Sequence, residues 1–382
     1  MSKNIVIFSE GTGQEGGVGN NTNVYKLFNL ILDRSARQMS FYDKGLGTGW
    51  RKATGNIAGR GFSKNVIDCY RFIFENYEHG DKIFLFGFSR GAATVRSLTG
   101  FIHLAGILPR SRGKLIKEAW KMYKIKNDDK RRKRFAAFHR VNHTMWAHVE
   151  FLGVWDTVAA LGVPSTKIDK ILNWVIPHGF HDFRLSESVK HACHALAIDD
   201  VRKTFHPVLF RRDSKREEEL KQTVRQVWFM GMHTDVGGGY AERKLSDIIL
   251  EWMVQQAVKH GLLIYDHSKR KKPGCEPDPN GKMHDSRDKL WKRIVFTRKQ
   301  RWWDEVRFGK ALIHESVKLR TTDIHNTPGG GYKPWILEHD PEIEPWTHLA
   351  DWKKDPEFKD VEPEIMKALE NWCAPTRPDR VT

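Results

Sequence analysis

Three apolar runs of strand length, each stopping abruptly at glycine or polar residues, constrain this chain more than any other feature. They are Ile83–Phe86 within KIFLFGFSRG, Val149–Trp155 (VEFLGVW) and Val224–Met230 (VRQVWFM). A strand wetted on one face alternates apolar and polar residues, whereas a strand covered on both faces reads as a continuous apolar run. Ile5–Ser9 (IVIFS) is a first strand of the same kind, and SFYDKG at 40–45 a shorter one. Between them, VYKLFNLILD at 24–33 and Val66–Tyr77 carry apolar residues at helical intervals. Strands that alternate with helices and end in Gly and polar clusters predict an α/β fold with a doubly wound, mostly parallel sheet. In such sheets sites form at the carboxyl ends of the strands.

Length and composition set the outer limits. The 382 residues hold 40% hydrophobic residues and 14 Trp, enough for a large core. No uninterrupted apolar run approaches the roughly 20 residues of a membrane span. The N-terminal MSKNIVIFSEG enters a strand without a signal-peptide pattern, so a cytoplasmic location is the expectation. Cys69, Cys193, Cys275 and Cys373 stand far apart and in no metal-like spacing, which fits thiols in a reducing compartment rather than a disulfide framework. Neither a metal nor an organic cofactor is called for.

The last apolar run before residue 90 leads into Gly87-Phe88-Ser89-Arg90-Gly91, followed at once by an Ala-containing, helix-compatible stretch. A serine nucleophile on a sharp strand-to-helix turn needs small residues two positions either side, because the turn brings those backbones together. Gly87 and Gly91 meet that need, and Ser89 is the candidate nucleophile. The backbone N–H of Arg90 would be one oxyanion donor. A second would come from the loop after the first strand, SEGTGQ, where Gly11 and Thr12 are the candidates. That loop is no phosphate-binding P-loop, since no G-K-[ST] follows. Its loose G-x-G-x-x-G (Gly11, Gly13, Gly16) lacks the helix and the spaced acid of a dinucleotide site.

A serine nucleophile needs a base, and the base an orienting acid, in the hydrolase order Ser, Asp or Glu, His. Asp156 follows one strand in GVWDTV and Asp235 follows the next in GMHTDVGGGY. The usual layout puts the acid after the second strand beyond the serine, which selects Asp235 and leaves Asp156 as the alternate. Of 18 histidines, His314 in ALIHESVKLR lies beyond both carboxylates and is the expected base. His233, two residues from Asp235, is the alternate.

In order along the chain, SEGTGQ, NTNV, FYDKGLGT, GDKIFLFGFSRGAATVRSL, FLGVWDTV, ALAIDDVRKTF and VWFMGMHTDVGGGY resemble the alpha/beta-hydrolase family that includes the phospholipase effectors of bacterial type VI secretion. The resemblance spans roughly residues 3–110 and 149–265, and more weakly ALIHESVKLR. It implies an alpha/beta-hydrolase fold and a serine esterase that cleaves lipid esters, phospholipids foremost, through a Ser-Asp-His triad. Ser89, Asp235, His314 and Asp156 fall on its motifs. Where the family reads Asp-Gly-Thr this chain has Glu10-Gly11-Thr12, which keeps a carboxylate. An effector can be secreted without a signal peptide, so export stays compatible with the N-terminus.

The expected organisation is a hydrolase domain over 1–335 with a basic insertion at about 110–145, a cap-like insertion at about 157–220 and a C-terminal appendage over 336–382. In the cap, Ile168, Ile171, Leu172 and Val175, with Trp174 beside them, have the spacing of an apolar lid or of a helix packed on the sheet. Residues 266–290, turn-rich and polar, read as a surface loop.

The net charge of +17 is concentrated in Arg110–Arg140 and in SKRKK at 268–272. Such charge suits an anionic membrane surface as well as a solvated helix. Aromatic residues in the first block (Trp120, Tyr123, Phe135, Phe138) are too sparse for single-strand stacking, so nucleic acid is not the favoured partner. A lipid or ester substrate is. Small esters or thioesters without a lipid role, and a non-catalytic basic binding protein, are the rival readings.

Overall fold

The computed structural model describes residues 2–11, 16–17, 19–45, 55–158, 185–266, 274–288, 296–321, 331–347, 352 and 355–372, with side chains from 61 onward in the helix that begins at 55. The expected lid residues 168–175, and Thr12, lie outside that set. Eight strands have the order β2-β1-β3-β4-β5-β6-β7-β8. They are β1 (Asn4–Ser9), β2 (Gln38–Asp43), β3 (Lys82–Phe88), β4 (Val149–Trp155), β5 (Val189–Ala197), β6 (Thr223–Phe229), β7 (Leu312–His314) and β8 (Glu342–Glu344). The pairings β1–β2, β1–β3, β3–β4, β6–β7 and β7–β8 are all parallel, as the continuous apolar runs require. With helices between the strands, this is the doubly wound sheet of an alpha/beta hydrolase.

By packing, the chain divides into two units: Met1–Glu15, Asp33–Ala192 and Pro207–Arg225 in the first, Gly16–Leu32, Cys193–His206 and Gln226–Thr382 in the second. In the first, Phe86 of β3 is fully buried and stacks on Phe8 of β1 at 5.3 Å and near Phe151 of β4 at 5.7 Å. Burying one such ring contributes about 1.5–3 kcal/mol. Helices α1 (Asn23–Phe28), α2 (Gly55–Asn76), α3 (Arg90–Ala105), α4 (Ile116–Tyr123) and α5 (Asp128–Asn142) come next in the chain. All but α1 belong to the first unit. The register sets Ser9 beside Asp43 and Gly87, and Phe88 beside Trp155. The residues that follow β1, β2, β3 and β4 therefore gather at one edge of that unit.

The basic block folds as α4 and α5 and the turn before them. Its aromatic residues point inward: Trp120, Tyr123, Phe135 and Phe138 are all at most 7% exposed. They are core, which removes them as stacking surfaces.

In the second unit, the helix Lys244–Lys259 (α7, after α6 at His233–Gly237) is buried from Leu245 through Val258. Two of its side chains receive indole N–H groups or give one: Trp252 donates to Glu344 on β8 at 3.0 Å, and Trp346 to Glu251 at 3.0 Å. The heavy Trp content thus serves packing with its polar edges satisfied. The segment expected as an appendage, 336–382, contains β8, paired with β7. The segment expected as a cap, 157–220, contains β5. Among the described residues no helix is long and apolar enough to cross a membrane.

Candidate active site

Ser89 sits at the last residue before α3 with φ 58° and ψ −117°. Those angles match the first central position of a type II′ turn, a place glycine normally fills. Holding a side chain there costs about 1–3 kcal/mol. The glycines around it are steric necessities. A Cβ on Gly87 would lie 2.6 Å from the carbonyl carbon of Gly91, and one on Gly91 would lie 2.0 Å from the carbonyl oxygen of Ser9. Gly11 closes over the serine itself, since a Cβ there would stand 3.3 Å from the Ser89 Cβ. The G-x-S-x-G motif is thus clasped between the β1 loop and the start of α3. Ser89 is 7% exposed, and Arg90 begins the helix with its N–H in the first turn.

The first-strand loop is itself held from β2. Ser9 donates its hydroxyl to Asp43 at 2.8 Å, the Gly45 N–H reaches the other Asp43 oxygen at 3.2 Å, and Tyr42 donates to Glu10 at 2.8 Å. Burial pushes the Asp43 carboxyl above its ordinary range, against the pull of the Ser9 hydroxyl. Ser9-Glu10 and FYDKG therefore fix each other, and the glutamate that replaces aspartate in the family pattern is anchored by the tyrosine of the second motif.

Asp156 lies beside this turn. It is fully buried and has φ 37°, a second strained position at the edge where Ser89 sits. The Ser89 N–H donates to the Trp155 carbonyl at 3.0 Å and the Ser89 carbonyl accepts from the Val158 N–H at 3.4 Å. Ser89 is bracketed by the residues on either side of Asp156.

The second unit holds the other candidates, and their partners differ from the sequence expectation. Asp235 accepts the His284 ring Nδ1 at 2.7 Å, the His284 backbone N–H at 3.1 Å and the Met232 N–H at 3.0 Å. Both carboxylate oxygens are spent within the GMHTDVGGGY turn and its partner loop. His284 was expected only as part of a surface loop; its neighbour in space is 49 positions away in sequence, beyond any local signal. Its other nitrogen, Nε2, faces Glu242 at 3.5 Å, and its ring stacks on Tyr240 with centroids 3.8 Å apart. The hydrogen bond from Asp235, opposed by burial and joined by the charge of Glu242, raises the His284 pKa above its ordinary 6.5. With carboxylates at both nitrogens, the charged form of His284 is favoured.

Asp235 and His314 are not brought together. His314 is 1% exposed, ends β7, stacks on Phe229 at 4.9 Å and pairs its Nδ1 with the Ser316 hydroxyl at 2.8 Å. The Ser316 backbone N–H also donates to that nitrogen at 3.3 Å, which places the proton of a neutral His314 on Nε2. A triad base needs the reverse, with N–H at Nδ1 and a lone pair at Nε2.

His233 opens α6 directly after β6. It is 4% exposed, its N–H donates to Asp200 at 3.3 Å, and its ring meets Phe205 edge-on at 5.1 Å. Burial disfavours the charged Asp200 carboxylate, yet the Arg202 guanidinium paired with it holds its pKa below the ordinary range. The neighbouring Asp199 is raised to about 6 by burial, though it accepts the Gly231 N–H at 2.6 Å and the Tyr332 hydroxyl at 2.9 Å. The NTNV motif supports the same turn: Thr22 caps α1, and the Asn23 amide donates to the carbonyls of Val236 at 3.0 Å and Ser246 at 2.9 Å.

The strand count that favoured Asp235 changes with β5. Counting from β3, the second strand is β5, followed by Asp199 and Asp200. Asp235 follows the third.

The uncharacterized protein of Saccharomyces cerevisiae that this chain resembles is 25% identical over 239 residues, 54% of this chain and 33% of that protein. The chain thus spans about a third of that relative. Among solved structures, an uncharacterized protein from Pseudomonas aeruginosa is 16% identical with a TM-score of 0.41, covering 69% of this chain and 46% of that one. The Tle1 effector bound to the VgrG spike of the type 6 secretion system is 19% identical with a TM-score of 0.31, covering 63% and 52%. An esterase from Thermogutta terrifontis is 14% identical with a TM-score of 0.37, covering 69% and 84%. The model of the type VI secretion phospholipase effector Tle1-like catalytic domain matches residues 3–256, and this chain belongs to that family.

Proposed function

We propose that the chain is a serine hydrolase that cleaves carboxylic ester bonds of lipids, phospholipids foremost, with Ser89 as nucleophile, His233 as base and Asp156 as acid. The observation that carries the reading is Ser89 itself: a serine in a glycine conformation, between a buried strand and a helix, with Gly87 and Gly91 required by contact and Gly11 packed closely on it. Strain of this kind persists where function holds it in place. The family assignment supports the lipid ester as substrate class.

The base and acid follow from what each candidate is already doing. His284 is engaged by Asp235 and its charged form is favoured, His314 presents the wrong tautomer, and Asp235 is consumed by His284 and the turn. His233 and Asp156 keep the order Ser, Asp, His. His233 takes the Ser89 proton as the hydroxyl oxygen attacks the ester carbonyl, and the alcohol leaves with that proton. Water, activated by the same imidazole, then releases the acid. The N–H of Arg90 and the Gly11–Thr12 loop are the proposed oxyanion donors, each such donor being worth about 2.7–4 kcal/mol of barrier.

The test is hydrolysis of p-nitrophenyl esters of short to long acyl chain, and of phosphatidylcholine and phosphatidylglycerol in mixed micelles. Ser89→Ala, His233→Asn and Asp156→Asn should each lower kcat by about a thousandfold or more, with far-ultraviolet circular dichroism unchanged. His314→Asn and His284→Gln should retain kcat within about tenfold. A silent His314→Asn beside an active His233→Asn would overturn the base assignment. An enzyme inactive on every ester would overturn the reaction class.

A further inference from the structure

The face of α5 turned to solvent does nothing for the chemistry above. Positions 131, 135, 138 and 142 are its buried stripe: Arg131, Phe135, Phe138 and Asn142. Lys130, Lys133, Arg134, Ala137 and Val141 share the opposite face at the i, i+3, i+4, i+7 and i+11 positions, with Arg140 alongside, and all six are exposed. Asp128 is taken by Arg131 and Arg132, and Asp129 is the other acid of the first turn. Lys130, Lys133 and Arg134 form no ion pair among the described residues. From Arg110 to His148 thirteen Lys and Arg stand against three acidic residues, which is ten of the chain's seventeen net positive charges.

The same face ends in exposed apolar groups. Val141 is 66% and Trp146 50% exposed. Trp146 is rigidly presented. His143, at φ 48°, turns the chain out of α5, and Met145 pairs with Ile107 in an antiparallel bridge. The indole then packs edge-on to His103 at 5.2 Å and donates its N–H to His148 at 3.2 Å. An indole with one edge satisfied and half its surface exposed, four residues beyond the end of a helix that carries a row of cations, has the chemistry of the headgroup layer of a bilayer. Clustered Lys and Arg draw such a surface to anionic lipid.

We infer that the outer face of α5, from Lys130 to Val141, together with Trp146, docks the protein on an anionic phospholipid surface. Nucleic acid is the weaker partner for this face, because the other aromatic residues of the block are buried and an exposed valine offers a phosphate backbone nothing. The docking deepens the lipid-hydrolase reading by supplying the approach to substrate, but its test does not depend on catalysis.

The experiment uses the full chain carrying Ser89→Ala, so that no lipid is consumed, and measures co-sedimentation with vesicles. Vesicles of phosphatidylcholine with about a third phosphatidylglycerol should bind at least tenfold more tightly than phosphatidylcholine alone, and 0.5 M NaCl should abolish the difference, because exposed charges are screened within a few ångströms at that strength. Adding Lys130→Glu, Lys133→Glu and Arg134→Glu should weaken binding at least tenfold, and Trp146→Ala should weaken it severalfold at high and low salt alike. In the active background, the same surface changes should leave hydrolysis of a soluble short-chain ester within twofold. Equal binding to neutral vesicles, or binding indifferent to both sets of substitutions, would overturn the inference. So would binding to a DNA or RNA duplex that these substitutions abolish while vesicle binding persists. Loss of ester hydrolysis in the active background alone would count against the hydrolase reading and leave the docking result standing.

Discussion

Ser89 occupies a backbone conformation that favours glycine, so its replacement by glycine and by alanine should reverse the usual order of stability. At an ordinary position alanine is more stable than glycine by about 0.5–1 kcal/mol, because glycine gains more freedom when the chain unfolds. At φ 58° and ψ −117° a Cβ costs about 1–3 kcal/mol. Subtracting the first effect from the second leaves Ser89→Gly more stable than Ser89→Ala by about 0–2.5 kcal/mol, with about 1 kcal/mol as the central figure. The hydroxyl is gone in both variants, so both should be catalytically silent and differ only in strain. Urea unfolding followed by tryptophan fluorescence reads the difference. Trp155, whose carbonyl accepts the residue-89 N–H, is one of 14 Trp whose summed emission follows the unfolding. The comparison is of midpoints between two variants, which survives a transition that is not two-state across both units. If Ser89→Gly unfolds at lower urea than Ser89→Ala by the ordinary glycine penalty, the strained-turn argument is wrong.

Other perturbations have equally definite outcomes. Gly91→Ala puts a Cβ 2.0 Å from the Ser9 carbonyl oxygen and 2.6 Å from that of Glu10, both backbone atoms, and should cost about 2 kcal/mol or more by urea midpoint; an unchanged midpoint would show that the clasp yields. The imidazolium of His284 is favoured in the folded state, so its contribution is complete below pH 6.5 and disappears as pH rises through its raised folded pKa. His284→Gln should flatten the fall in unfolding midpoint measured from pH 6 upward, and an identical slope would refute the charged pair with Asp235. Asp199, raised to about 6 by burial, burdens the fold increasingly as pH rises from its ordinary 3.8 to that value, and fully above it. Tyr332→Phe removes one donor to that carboxylate and should cost about 1–3 kcal/mol at pH 8 and less at pH 5, a gap that a pair of urea titrations resolves.

What the sequence displays plainly is what local sterics dictate. Gly87 announces the Ser89 turn because the clash it avoids, with Gly91, lies within five residues of chain, whereas Gly91 is set by the Ser9 and Glu10 carbonyls about 80 residues earlier. The covered strands announce themselves by unbroken apolar runs. β5 is harder to see: Lys190, His191 and His194 interrupt VKHACHALA, and without it the count of strands from the serine falls one short. Without β5 the count points to Asp235, and with it to Asp199 and Asp200. Choosing among 18 histidines is harder still, because protonation depends on partners far away in sequence, as His284 depends on Asp235. Periodicity alone reads α5 as basic, while its side chains divide into an aromatic buried stripe and a cationic outer one.

The grip of Asn23 on the carbonyls of Val236 and Ser246 has a consequence for how the protein is made. Its partners lie 213 and 223 residues downstream. At roughly 5–20 residues per second, a ribosome needs about 10–40 s after making Asn23 before it makes Val236. Throughout that interval α1, only six residues long, has none of its tertiary support and is too short to persist as an isolated helix. Val24 and Leu27, buried in the finished protein, wait in water. The first unit, by contrast, has completed β1, β2, β3 and β4 by residue 155. Synthesis thus leaves a loose apolar segment exposed behind strands already made, which is the stage at which a chaperone would be needed.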